Sequence, residues 1–299
     1  MLSHVNRRTS AAGLLREMLA RPGLIRAPSA TDGLSARMIA AAGFEAIHLT
    51  GSGVARSMGY PDIGLVTMNE TLDRARSMTR SVGIPVIADA DTGYGNALNV
   101  IRTVQEFEAA GIAGLHLEDQ VTPKRCGHYE GKQLIPADEM ALKIEAACAA
   151  RRDPDFVIIA RTDARGVEGY DAAIRRGELY AKAGADVLFI EAPESRAEVE
   201  RMVAHFKVPL LMNMYSGGKT PLVSTADLRA MGYRIVIWPS HLQRAAIMAM
   251  KRALELLQRE DVSAADDPDL MVSFAEREAI VGLPEAGELE RRFLEGKAA

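Results

Sequence analysis

One arrangement recurs along the chain and constrains its fold more than any other feature. A helical stretch ends in a small residue and glycine, and a short apolar run ending in polar residues follows at once. "RMIAAAG" leads to "FEAIHLTGSG", "RARSMTRSVG" to "IPVIADADTG", "VQEFEAAG" to "IAGLHLEDQ", "ELYAKAG" to "ADVLFIEAP", and "DLRAMG" to "YRIVIWPS". Each reads as a helix closed at its glycine cap and then a strand buried on both faces, as in a parallel sheet. With "GLIRAPSA", "DFVIIARTD" and "VPLLMNMYS" added, there are eight strands with a helical pattern after nearly all of them. Eight βα units in about 240 residues predict an α/β fold of the (β/α)8 (TIM) barrel type. A doubly wound open sheet is the runner-up. No linker or low-complexity segment divides the chain, so residues 1–299 read as a single barrel domain with 240–299 as a C-terminal helical extension.

Composition narrows the partners. A chain of 299 residues, 48% hydrophobic and 25% charged, buries a sizeable core. A net charge of −4 without a Lys/Arg-rich run argues against nucleic acid or an anionic membrane surface and for a small-molecule partner. The start "MLSHVNRRTS" carries no apolar stretch, and no run approaches the roughly 18 apolar residues of a membrane span. A soluble, cytoplasmic protein is expected. The two cysteines offer no disulfide framework; Cys148, in "KIEAACAARR", reads as buried helix, which leaves Cys126 as a free thiol.

In such a barrel the C-terminal ends of the strands converge on one mouth. From the second strand to the seventh they carry Thr50, Gly51 and Ser52; Asp89 and Asp91; Glu118 and Asp119; Arg161 with Asp163; Glu191; and Asn213. Asp89 and Asp91 alternate with Ala90, so on a strand both carboxylates face one side and repel unless a cation joins them. With Glu118 and Glu191 they offer hard oxygen ligands suited to Mg2+, for which Mn2+ substitutes. The plain alternative is a salt-bridge lattice in which these acids pair with Arg161, Lys124 and Arg125. The loop after the fourth strand, "PKRCGHYEGK", places Cys126 among Lys124, Arg125 and His128. Those cations are expected to lower the thiol's pKa and attract an anionic substrate, while Gly127 lets the backbone approach closely. Such a thiol serves as nucleophile or acid, or it is simply a half-buried loop cysteine; a metal-bound oxyanion close by favours proton transfer.

"KRCGH" after "GLHLEDQ", with "DADTGYGN" upstream and "ARTDA" downstream, resembles the isocitrate lyase/phosphoenolpyruvate mutase superfamily on its short-chain branch, which includes methylisocitrate and 2,3-dimethylmalate lyases. The likeness runs roughly from "GYPDIG" to "VGLPEAGELERRF". It implies Mg2+ at Asp89 and Asp91 with Glu118 near it. It implies substrate contacts from Thr50, Gly51, Ser52, Cys126, Gly127, Arg161, Glu191 and Asn213, and puts Asp62 close to the reacting group. Arg244, in "SHLQRAA", matches a further family arginine. The resemblance also implies a homotetramer whose last barrel helix is exchanged between subunits.

The residues and the resemblance converge on a retro-aldol (retro-Claisen) lyase for a 2-hydroxydicarboxylate, yielding a 2-oxo acid and a carboxylate. Mg2+ would hold the 2-hydroxy acid, Arg161 and the loop cations, His128 among them, would stabilise the developing enediolate, and Cys126 would protonate it. The chain departs from methylisocitrate lyases where Asn213 is followed by "MYSGGKTP", with Ser216 where Glu is common, and where Ser52 replaces a frequent Gly. These departures favour a malate-type substrate over a tricarboxylate. Oxaloacetate hydrolysis and a non-catalytic dicarboxylate-binding barrel are the alternatives.

Overall fold

The structure, a computed structural model, describes residues 9–258 and 269–294. The described residues divide into two compact units, one of residues 9–239 and one of residues 240–258 with 269–294.

The larger unit is the expected barrel. Eight parallel strands close in chain order: β1 (Ile25–Ala30), β2 (Ile47–Leu49), β3 (Val86–Asp89), β4 (Gly114–Glu118), β5 (Val157–Thr162), β6 (Val187–Ile190), β7 (Leu210–Asn213) and β8 (Ile235–Trp238). A closed barrel has no sheet edge, so the open-sheet alternative is set aside. The helices between strands are α2 (Gly33–Ala41), α3 (Gly51–Ser57) and α4 (Met68–Ser81), α5 (Ala97–Ala109), α6 (Ala137–Ala150), α7 (Ala164–Val167) and α8 (Tyr170–Lys182), α9 (Arg196–His205) and α10 (Thr225–Met231). Most begin on a side chain that accepts from an otherwise unpaired backbone N–H, as Thr50 does from Gly53, Thr67 from Glu70 and Asn96 from Asn99. The predicted glycine stops hold at Gly111 and Gly184, both with positive φ. Gly83 is the exception: α4 ends on Val82 in an extended conformation, without a left-handed residue.

Alternation along the strands separates two cores. Ala27, Ile87, Val157, Ile159, Val187, Phe189, Leu211, Ile235 and Ile237 point inward and pack together, while Leu115, Leu117, Ile158, Ala160, Leu188 and Val236 face the helices. Leu15 and Met18 of α1 (Ala11–Ala20), a helix outside the repeating pattern, join the inner cluster. Arg16 Nε donates to Asp155 O at 2.9 Å and Arg234 Nη2 to Leu19 O at 2.6 Å, which ties α1 across the ends where the strands begin. The opposite end stays open to polar side chains.

In the smaller unit, α11 (His241–Gln258) carries Leu242, Ile247, Met248, Met250, Leu254 and Leu257 as exposed apolar side chains. Helices α12 (Phe274–Val281) and α13 (Leu283–Phe293) follow, joined at Gly282 in the left-handed conformation.

Candidate active site

The inward parity that fills the barrel also builds the site. Continuing each inward row toward the strand ends brings in Ser29, His48 and Thr50, then Asp89, His116 and Glu118, then Arg161, Glu191 and Asn213. The register places Asp89 beside His116 and Glu118 beside Arg161 on neighbouring strands. One pocket is lined by Thr50, Ser52, Asp62, Asp89, Cys126, Gly127, His128, Arg161, Glu191 and Asn213. Those sequence candidates therefore meet. Arg244 lies on α11, in the other unit.

Asp119, the other acid at the end of β4, does not join them. It has outward parity, and its carboxylate accepts from Thr162 Oγ1 at 2.6 Å, Asp163 N at 2.9 Å, Tyr180 Oη at 2.8 Å and Arg176 Nη1 at 3.2 Å. It is a structural anchor between β5 and α8.

Asp89 lines the pocket, whereas Gly51, Asp91 and Glu118 are outside its lining and adjoin it through Asp89 and Arg161. Asp89 Oδ2 accepts from Gly51 N at 3.2 Å, and its Oδ1 accepts from Asp91 N at 3.0 Å. A Cβ at position 51 would stand 2.8 Å from Asp89 Oδ2, so glycine permits this approach. The strand alternation expected to align the two aspartates ends at Asp89. Asp91 has φ of 46°, and a turn places it, with Glu118 N donating to its carbonyl at 2.9 Å and Lys143 Nζ to Thr92 O at 2.8 Å. Burial opposes the charge on Asp89, yet His116, Lys124 and Arg161 hold its pKa well below the usual carboxylate range. Burial and the neighbouring Asp89 push Asp91 up to about 6 despite Lys124, and burial raises Glu118 well above its ordinary value against Arg161 and Lys124.

Both Glu118 oxygens and Asp91 Oδ1 are buried without a hydrogen bond. Among the described residues no three His, Cys, Asp or Glu side chains form a ready metal cage. The donors are carboxylate oxygens alone, and Mg2+ is held by one or two carboxylates with waters completing its shell, so the residues fit that ion.

The anticipated salt-bridge lattice is also present. Arg161 Nη1 lies 3.2 Å from Glu118 Oε2, its Nε bonds Asp163 Oδ2 at 3.0 Å, and its Nη2 lies 3.6 Å from Glu191 Oε2. Lys124 Nζ donates to Asp62 Oδ1 at 2.7 Å and lies 2.8 Å from Asp91 Oδ1, at ion-pair distance but off hydrogen-bond alignment. Arg125 takes no part: it is exposed, and its main chain bonds the Gln120 amide at both N and O.

The Cys126 loop is seated over this lattice. Cys126 N donates to Asp62 O at 3.2 Å, and Lys132 Nζ reaches both Gly127 O and Asp163 Oδ1. A Cβ on Gly127 would meet Arg161 Nη2 at 2.5 Å and Glu191 Cγ at 2.8 Å. The expected lowering of the thiol's pKa is corrected. Burial and then the Asp62 charge raise it above its ordinary value, outweighing the His128 N–H and Arg161. Lys124 is neutralised by two aspartates and Arg125 is turned out, so the cations do not act on sulfur as the linear sequence suggests. His128, its own pKa lowered by burial, lies 3.5 Å from Glu191 and stacks on Tyr215 with centroids 4.7 Å apart. Asn213 Nδ2 donates to Glu191 at 3.2 and 3.3 Å.

Sequence reasoning missed four contributors. His48 and His116 line the pocket, hydrogen-bonded to each other through Nε2 at 3.0 Å, with Ser29 Oγ on His48 Nδ1 at 2.8 Å. Burial lowers their pKa values to about 3 and about 4, so both are neutral. They sit two residues before Thr50 and Glu118, a parity signal that was available. Lys132 and Arg56 carry no such signal, since a loop and a short helix place them.

The phosphoenolpyruvate phosphomutase family model matches residues 15–258. The chain is 44% identical to 2,3-dimethylmalate lyase of Eubacterium barkeri over 96% of its own length and 100% of the relative. It is 42% identical to 2-methylisocitrate lyase of Aeropyrum pernix over 94% and 90%. Among solved structures, oxaloacetate acetylhydrolase in complex with the inhibitor 3,3-difluorooxalacetate superposes with a TM-score of 0.90 at 36% identity, covering 97% of this chain and 98% of that one. Phosphonopyruvate hydrolase in complex with oxalate and Mg2+ superposes with a TM-score of 0.87 at 33% identity, covering 96% and 100%.

Proposed function

Because the chain belongs to the phosphoenolpyruvate mutase/isocitrate lyase superfamily, we propose that it is a Mg2+-dependent carbon–carbon lyase acting on 2-hydroxydicarboxylates of the alkylmalate or methylisocitrate type. The observation that carries this reading is one pocket whose lining joins Asp89, Arg161 and a thiol kept protonated, with the buried oxygens of Asp91 and Glu118 that lack a hydrogen bond next to Asp89 and Arg161.

Asp89 and Asp91, with Glu118 behind them, would hold Mg2+, which supplies positive charge for a 2-hydroxy acid's carboxylate and hydroxyl oxygens. Thr50 and Ser52 shape the wall beside that end, and Gly51 adjoins it through Asp89. Arg161 is fixed by Asp163 and stacked over Phe189 at 5.1 Å, so its charge is already in place when negative charge develops on the departing half. His128, Glu191 and Asn213 orient that half, and Asp62 steadies both Lys124 and the Cys126 main chain. Cys126 Sγ then gives its proton to the departing carbon. A raised pKa suits an acid, whereas a nucleophile would need it lowered.

A malate-type substrate is the preferred one. Tyr215, Phe189, Ile237 and Pro239 line the pocket with apolar surface, which suits an alkyl-bearing chain. Oxaloacetate hydrolysis is the second reading, favoured by the likeness to oxaloacetate acetylhydrolase.

The active form is a cytoplasmic homotetramer in this reading. The exposed apolar residues of α11 support assembly, and no helix among the described residues is long and apolar enough to cross a membrane. The test is incubation with Mg2+ and a panel of malate, alkylmalates, isocitrate, methylisocitrate and oxaloacetate, with product identification. A 2-oxo acid plus a carboxylate from a hydroxy diacid supports the lyase. Oxalate plus acetate from oxaloacetate alone supports the hydrolase, and thermal stabilisation by oxalate without any turnover supports a binding barrel.

A further inference from the structure

Three cations that line the pocket differ in what already surrounds them. Lys124 sits between Asp62 and Asp91, and Arg161 among Glu118, Asp163 and Glu191. Arg56, on α3, is different. Its Nη1 donates to Ser52 O at 3.0 Å, its other side-chain partner is the Tyr129 hydroxyl, and among the described residues no carboxylate stands within ion-pair distance of it. The side chain leans back over the first turn of its helix, as helical side chains do, and that turn starts at the mouth of β2. Its guanidinium is thus a half-buried pocket cation with only neutral hydrogen-bond partners, on the side where Asp62 and Cys126 feel its charge.

A charge in that setting gains more from a ligand carboxylate than one already neutralised by protein acids. We infer that Arg56 binds the carboxylate of the substrate's departing half, the one attached to the carbon that Cys126 protonates. The inference rests on the lyase reading. When the carbon–carbon bond breaks, its electron pair passes to the departing carbon and its carboxylate. The 2-hydroxyl gives its proton to solvent as its oxygen becomes the carbonyl of the 2-oxo acid, and the departing carbon receives a proton from Cys126 Sγ, which solvent then restores. A guanidinium on that carboxylate therefore selects diacids and favours the charge as it spreads. Arg161 and Arg56 divide the work: the first is fixed by protein acids near the metal end, and the second is free to take the ligand's.

Binding separates the two claims. With Mg2+ present, the dissociation constants of oxalate, which lacks a second half, and of 3,3-difluorooxalacetate, which has one, are measured for the parent protein and for Arg56→Gln, Arg56→Lys and Tyr129→Phe. Arg56→Gln is expected to weaken the difluoro diacid about ten- to hundredfold and to leave oxalate within about twofold, since one charge-assisted hydrogen bond is lost from one ligand only. Arg56→Lys falls between, and Tyr129→Phe changes neither. Equal loss for both ligands, no loss, no binding of the diacid by the parent, or a Tyr129→Phe variant that mimics Arg56→Gln overturns the assignment; the last would make Arg56 a support for the loop. Cleavage of 2,3-dimethylmalate by the parent protein is scored separately. If Arg56 discriminates the two ligands but no diacid is cleaved, the lyase reading falls and the binding role stands.

Discussion

The main-chain N–H of Cys126 donates to the carbonyl oxygen of Asp62 at 3.2 Å, so the thiol is seated against the residue whose carboxylate raises its pKa. Burial acts in the same direction. An acid whose pKa lies above the ordinary thiol value of 9.0 is fully protonated at neutral pH and loses its proton only beyond that value. The rate of cleavage should therefore stay flat through neutrality and fall on an alkaline limb above about pH 9. Asp62→Asn removes one of the raising charges and should shift that limb to lower pH. A limb near pH 6 or 7 in the parent protein would show a thiolate instead.

Cys126→Ser should bind oxalate like the parent but cleave about 10² to 10⁴ times more slowly, the usual contribution of a positioned acid. The hydroxyl fits the space and is a much weaker acid. Single-turnover rates together with oxalate affinity check this, and parent-like turnover would leave the thiol a packing role.

Gly127→Ala should leave the barrel folded and cut turnover by about 10² or more, because displacing a positioned group by an ångström costs that much. The added Cβ would meet Arg161 and Glu191 at 2.5 and 2.8 Å, inside the pocket and not in the core. Circular dichroism and steady-state kinetics on the same preparation separate the two effects.

Asp119→Ala should act on stability first. Four donors converge on that buried carboxylate. Arg176 keeps its two-point pairing with Glu168, but Thr162 Oγ1, Asp163 N and Tyr180 Oη lose their acceptor, at a cost of about 1 to 3 kcal/mol for each buried group left unpaired. Urea unfolding measures it.

The barrel was legible because its signals are local: the helix stops at Gly111 and Gly184 and the apolar strands after them need no tertiary information. The site was legible where inward parity runs unbroken to a strand end, as at Asp89, Glu118 and Arg161. It failed where parity was not followed, which put Asp119 at the mouth and passed over His48 and His116. It failed again where a loop decides. Counting charges around Cys126 gave a lowered pKa, because sequence does not show that Lys124 is held by Asp62 and Asp91 or that Arg125 is turned out. Asp91 reached its place by a left-handed turn that alternation does not describe.

Substrate preference follows from the apolar lining around Tyr215. 2,3-Dimethylmalate should exceed methylisocitrate in kcat/KM by about ten- to hundredfold, the discrimination expected when a third carboxylate finds no partner. The reverse order would remove the preference and leave the lyase standing.

Excess EDTA should abolish turnover, and Asp89→Ala should weaken both Mg2+ affinity and rate, since Asp89 is the acid that its surroundings keep ionised. Full activity without divalent metal would remove the metal from the account.

The most direct test of the whole scheme is cleavage of 2,3-dimethylmalate with Mg2+ in D2O, followed by NMR. A thiol that exchanges with solvent and protonates the departing carbon predicts pyruvate and propionate in equal amounts, with one deuterium at carbon 2 of propionate, and a far slower reaction in Cys126→Ser. No cleavage of this or any other 2-hydroxy diacid by a protein that still binds oxalate would contradict it.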